Sequence, residues 1–158
     1  MRLPARLNVT WQDDNTLRVD VDAGTQTRLF HFESAGSQPG GSRDRPLPDG
    51  GKPTWQGNST AQWERAGGRG GPATGGSLTV TTRNMRAGYL RKNGVPYSAN
   101  ATVTEYFDVS PAPGGQLLVV TTVVDDPQYL SQPFIVSSHF RKEADGSKWD
   151  PTPCNARF

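Results

Sequence analysis

ATVTEYFDVSPAPGGQLLVVTTVVDDPQYL, residues Ala101 to Leu130, reads as a β-hairpin. Two runs rich in Val, Thr, Tyr and Phe flank a Pro111 to Gly115 turn, which is strand-turn-strand chemistry. Side chains alternate across a strand, so Ala101, Val103, Glu105, Phe107 and Val109 share one face. Glu105 is the one carboxylate on that apolar face and points wherever its neighbours point. The second run, Leu117 to Val124, is apolar on both faces except at Thr121 and Thr122, as a central strand should be. It ends in Asp125-Asp126-Pro127, with one carboxylate facing in and the other out.

Further strands follow from the same alternation. Leu7, Val9 and Trp11 make a short one. Leu17, Val19 and Val21, between Arg18, Asp20 and Asp22, make the clearest half-buried one. Thr25 to Phe32 is a third, with Thr27, Leu29 and His31 on one face and Arg28, Phe30 and Phe32 on the other; the pattern leaves open which face is inner. Ser59 to Glu64, Ser77 to Asn84 and Phe134 to Arg141 complete a set of eight with the hairpin. Between them lie long loops at about 34–57, 65–76 and 85–99, and Lys142 to Phe158 reads as a polar tail. Eight strands without a helix-length amphipathic run predict an all-β single domain over 1–158: an eight-stranded antiparallel up-and-down barrel, lipocalin-like. A bent open sheet or a β-sandwich is the alternative.

Composition narrows the function classes. With 158 residues, 33% hydrophobic content, 18 Gly and 13 Pro, the chain suits a β-rich domain with irregular loops. A net charge of +2 gives no strong steering toward nucleic acid or membrane. No apolar run is long enough for a membrane span. Met1 is followed by Arg-Leu-Pro-Ala-Arg without a hydrophobic segment, so no signal peptide is read. Cys154 is the single cysteine, which excludes an internal disulfide. The glycine-rich tract from Arg65 to Gly76 lacks a phosphate-loop pattern and reads as a connection. Arg86, Tyr89, Arg91, Lys92 and Tyr97 interleave basic and aromatic residues, but a solvated connection with an Asn93-Gly94 turn is the plainer reading.

At Pro53-Thr54-Trp55-Gln56-Gly57-Asn58-Ser59, then Trp63-Glu64 and Leu78-Thr79-Val80, the chain resembles a large family of uncharacterised exported bacterial proteins. Those carry a P-T-W-x-G-x-S-x-x-x-W-E-G-D-x-L-x-V pattern. The segments Asn93 to Ser98, Thr104 to Phe107 and Val124 to Leu130 match further motifs in the same order. The resemblance covers most of Asp22 to Cys154 and implies a periplasmic or secreted protein, but no activity. Family members typically begin with a signal peptide and an extra segment, so Met1 reads as an internal methionine. The family's compact W-E-G-D-x-L turn is here Trp63-Glu64 followed by the glycine-rich insertion.

Candidate chemistry centres on Glu105. A carboxylate on an apolar face is costly to bury unless it is paired or protonated. Glu105 is therefore either a general acid or base, assisted by Asp126 or His139 in a hydrolase, isomerase or lyase, or half of an ion pair with an inward Arg, Tyr or Trp. Asp125 and Asp126 at a strand mouth could hold a cation, while Asp-Asp-Pro is also ordinary turn chemistry. His31 and His139 with a carboxylate are weak metal candidates, so no cofactor is expected. Ser138 and His139, being neighbours on a strand, face opposite ways, which is wrong for a nucleophile and its base. Trp11, Trp55, Trp63, Tyr106 and Phe107, with Glu105, are expected to line a cavity closed by the Ser34 to Gly57 loop. The preferred expectation is a barrel binding a small apolar or amphipathic molecule. The alternatives are an enzyme using the same cavity and a structural or assembly protein with a packed interior.

Overall fold

Period-two patterning carries through to the structure, a computed structural model that describes residues 5–32, 51–65, 76–90 and 94–154. The strands are β1 (Leu7–Asp13), β2 (Thr16–Val21), β3 (Gln26–Phe32), β4 (Asn58–Arg65), β5 (Gly76–Arg83), β6 (Gly88–Tyr89), β7 (Pro96–Tyr97), β8 (Thr102–Ala112), β9 (Gly115–Asp125) and β10 (Phe134–Arg141). There is no helix among the described residues. Eight strands form one strongly curled sheet in the order β1-β2-β3-β4-β5-β8-β9-β10, and β6 pairs only with β7. The short β6–β7 ribbon lies within the 85–99 connection read from sequence as a plain loop.

The sheet departs from the expected closed, all-antiparallel barrel in two ways. β3 and β4 run parallel, with Phe30 opposite Ser59 and Phe32 opposite Ala61. Two residues suffice to turn an antiparallel hairpin, whereas a parallel pair needs a crossover of a dozen or more. The 25 positions between Phe32 and Asn58 are long enough to return the chain to the end where β3 began. Every other neighbouring pair is antiparallel. The single parallel step makes β1 and β10 point the same way, so a closing ladder would also have to be parallel. They do not pair, and the sheet stays an open half-barrel. This is the bent open sheet of the alternative reading.

The concave face holds the core. Leu17, Val19, Phe30, Ala61, Leu78 and Val80 are buried together, with Leu7, Phe32 and Phe107 packed around them. The ambiguity in the third strand is thereby resolved: Arg28, Phe30 and Phe32 face in. The hairpin that fixes the fold runs in register from Thr102–Asp125 to Ala112–Gly115, turning at Pro113 and at Gly114, whose φ of 79° is the left-handed region that glycine tolerates.

The C-terminal segment is more than a polar tail. Its start is fixed where the Lys142 amide donates to the Gln116 carbonyl (3.0 Å), at one end of the sheet. Its far part is fixed at the other end, where Thr152 bridges Ala23 in the β2–β3 turn. There the Gly24 amide donates to the Thr152 carbonyl (2.7 Å) and the Thr152 amide to the Asp22 carbonyl (3.0 Å). The segment thus crosses from the β10 edge to the turn beside the β1 edge, spanning the side the sheet leaves open. Asp22 grips the N-terminal segment as well, accepting from the Arg6 amide (2.7 Å) and the Arg6 guanidinium (3.2 Å).

Candidate functional site

Glu105 lies on the concave face, opposite Val80 on β5 and Thr122 on β9, and only about a tenth of its side chain is exposed. Arg28 on β3, three strands away in the sheet order, reaches across to it. Its Nη1 donates to Oε1 at 3.1 Å and its Nη2 to Oε2 at 2.5 Å, a two-pronged fork matching carboxylate geometry. Nη2 also donates to Thr82 Oγ1 (3.2 Å), and that hydroxyl pairs with Ser59 Oγ (2.7 Å). The guanidinium carbon sits 4.9 Å from the centre of the Phe30 ring, which stands edge-on to Phe107. Pairing is what lets both charges leave water. Arg28 was missed at the sequence level. The signal was available: it shares a face with Phe30 and Phe32, and a lone cation on one apolar face calls for the lone anion on another.

Beside this pair the concave face opens into a groove of about 900 Å³. Leu17, Val19, Phe30, Leu78, Phe107 and Leu118 form its apolar floor, Trp63 and Phe140 its sides, and Trp149 from the C-terminal segment part of its rim. Trp149 was not foreseen, because a lone Trp in a polar tail carries no periodicity. Three rings adjoin across the same face, the Trp11–Phe32 pair tilted at 39° and the Phe32–Trp63 pair stacked. Trp11 lies 5.3 Å from Phe32, and Phe32 lies 5.7 Å from Trp63 with planes only 23° apart. Both tryptophans stay more than half exposed, at 55% and 56%.

The other expected residues separate. Trp63 and Phe107 line the groove; Glu105, Trp11, Trp55 and Tyr106 do not. Trp55 is exposed, with the Arg86 guanidinium 5.2 Å from its ring centre, and Tyr106 pairs with Thr79 and Thr121 on the convex face. The loop expected to close the cavity lies outside the described residues over 33–50. His139 borders the groove on the β10 edge, but its register partner is Val119, so its ring alternates away from Phe140 and from the face that holds Glu105. His31 sits on the convex side within 3.3 Å of Thr16 Oγ1. No group of three metal-ligating side chains occurs among the described residues.

Asp126 is fully buried but serves its own turn. It accepts from the Ser98 amide, the Ser98 hydroxyl (3.0 Å) and the Gln128 amide (2.9 Å), tying the 94–101 segment to the end of β9. Burial alone would raise its pKa. The bonds donated by Ser98, Gln128 and Tyr129 more than offset that and hold it below the ordinary carboxylate value. Asp125 is exposed, so the in-and-out reading of the two carboxylates holds.

Comparison with protein-family models, curated proteins and solved structures returned no match for this chain.

Proposed function

We propose that this curled sheet is a binding module that takes one small apolar or amphipathic molecule into the groove on its concave face. The observation that carries the reading is an apolar-walled hollow of about 900 Å³ beside a well-packed core. Sites for small molecules are concave, mostly apolar and of this size. In use, though not in closure, such a module is lipocalin-like: an inner sheet face holds the ligand. Glu105 contributes from beside the groove. It is the anion that neutralises Arg28, whose guanidinium lies against the Phe30 ring of the groove's floor. The motif resemblance favours a periplasmic or secreted setting.

An enzyme using the same interior has less support. Both Glu105 oxygens are held by Arg28, Asp126 is consumed by backbone and hydroxyl donors, and His139 alternates to the other face. The deciding experiment is displacement of a hydrophobic fluorescent dye from the purified protein, together with native mass spectrometry for a retained ligand. Val109 lines the groove yet is 60% exposed, so Val109→Glu should abolish dye binding while leaving the fold intact. Equal dye binding by the variant and the parent would refute the groove as the site.

A further inference from the structure

We infer, building on the groove reading above, that segment 142–152 is a strap whose Thr152 end releases from the β2–β3 turn to let a ligand into or out of the groove. Its position is the first support. The eight strands bond in unbroken order, and the segment crosses the side that β1 and β10 leave open. Lys142, Glu143, Asp145, Gly146, Lys148 and Trp149 all line the groove, so the segment covers it as well as bordering it.

The two ends are held unequally. The Lys142 end is continuous with β10 and is tied again where its amide meets the Gln116 carbonyl. The Thr152 end holds by a single rung, its bridge to Ala23, with two backbone hydrogen bonds of 2.7 and 3.0 Å. Pro153 restricts Thr152 to extended backbone, the form a bridge requires, so this end can detach and dock again without refolding. Between its ends the segment bonds to itself. The Trp149 amide donates to the Gly146 carbonyl (2.9 Å), the Ser147 amide to the Asp145 carboxylate (2.9 Å), and Lys148 pairs with Glu143 (2.8 Å). From 142 to 152 every residue except the half-buried Trp149 is exposed. Little burial therefore resists opening: one ring and one rung hold the strap shut.

The test follows Nile red entering and leaving the groove by stopped-flow fluorescence. Cys154 supplies a lock, because a Cβ at Gly24 would lie 2.9 Å from its Sγ, within reach of a disulfide. In Gly24→Cys the lock is closed with diamide and reopened with dithiothreitol. Closing it should slow entry and release alike, by about tenfold or more, with little change in equilibrium affinity. Comparing the two redox states of one variant cancels the strain of a cysteine at a φ of 84°. Thr152→Pro removes the amide that donates to the Asp22 carbonyl, and it should speed release about twofold to tenfold, the range of one lost hydrogen bond. Equal exchange in the locked and reduced protein would overturn the strap while leaving the groove in place. An unchanged rate in Thr152→Pro would do the same, and it decides alone should the disulfide not form. If the parent binds no Nile red, the groove reading falls and the strap's role with it.

Discussion

Breaking the Arg28–Glu105 pair should cost more from one side than from the other. The pair sits with 19% of the arginine side chain and 10% of the glutamate side chain exposed. At about 4 Å and an effective dielectric of about 20, two unit charges attract by roughly 4 kcal/mol, which offsets their desolvation only while both are present. Arg28→Met leaves the more buried carboxylate without its fork, and a stranded buried charge typically costs about 3–5 kcal/mol. Glu105→Leu leaves a guanidinium that still has Thr82 and the Phe30 ring. Its long stem can carry the charge toward water, so a smaller loss of about 1–3 kcal/mol is expected. The double variant Arg28→Met/Glu105→Leu strands nothing and should lie within about 1 kcal/mol of the parent, as apolar replacements of buried pairs often do. Urea unfolding followed by tryptophan fluorescence measures all four proteins. If the double variant is as unstable as Arg28→Met alone, the two side chains are not coupled and the account of the ion pair fails.

Other outcomes test the frame around the site. Asp126 and Asp22 both have pKa values lowered in the fold, where burial raises them but donated hydrogen bonds outweigh it. Their folded values lie below the unfolded one, so their stabilisation is complete above about pH 5 and is lost as pH falls through the folded values, below about pH 4. Asp126→Asn should cost about 1–3 kcal/mol at pH 7 by setting an amide donor against donors from Ser98 or Gln128, and it should flatten the acid limb of the stability curve; an unchanged limb would refute the assignment. Gly57→Ala should destabilise by about 2 kcal/mol or more, combining left-handed strain with overpacking, because its φ is 64° and a Cβ would meet the Arg83 carbonyl oxygen at 2.6 Å. A melting temperature within a degree or two of the parent would contradict that geometry. Removing the chain after Lys142 deletes Trp149 and the Thr152 bridge to Ala23, and it should raise the off-rate of a groove-bound dye in stopped-flow displacement; an unchanged rate would show that the segment does not border the ligand.

Much of this architecture was legible because strands announce themselves by alternation. Leu17, Val19 and Val21 on β2, and the hairpin of β8 and β9, lie where the period-two pattern put them, and Glu105 faces the core as its apolar neighbours required. Pairing across long connections was not legible. Nothing local to Phe32 or Ser59 encodes a parallel ladder, and the one available hint was a connection far longer than a hairpin needs. The aromatic residues divided for a similar reason. Phe107 and Tyr106 were both expected in the cavity, although adjacent strand residues face opposite ways, and Tyr106 faces out; Trp55 belongs to no strand, so its turn toward Arg86 depends on tertiary geometry. Asp126 reads equally well as a catalytic carboxylate or a turn acceptor until Ser98 is seen to come from a separate segment.

The lone parallel step also bears on how the chain acquires its shape. On the N-terminal side of it, β1 to β3 are joined by tight turns; on the C-terminal side, β4 pairs with β5, and β8 to β10 form a run of sequence neighbours that joins β5 across the β6–β7 connection. Each run can zip from local contacts, whereas the β3–β4 ladder must wait for closure of a loop, the slow kind of event in β-rich folding. Arg28 and Glu105, 77 positions apart, meet only once that joint is made. The ion pair should therefore form late, and its disruption should quicken unfolding while leaving the refolding rate almost untouched.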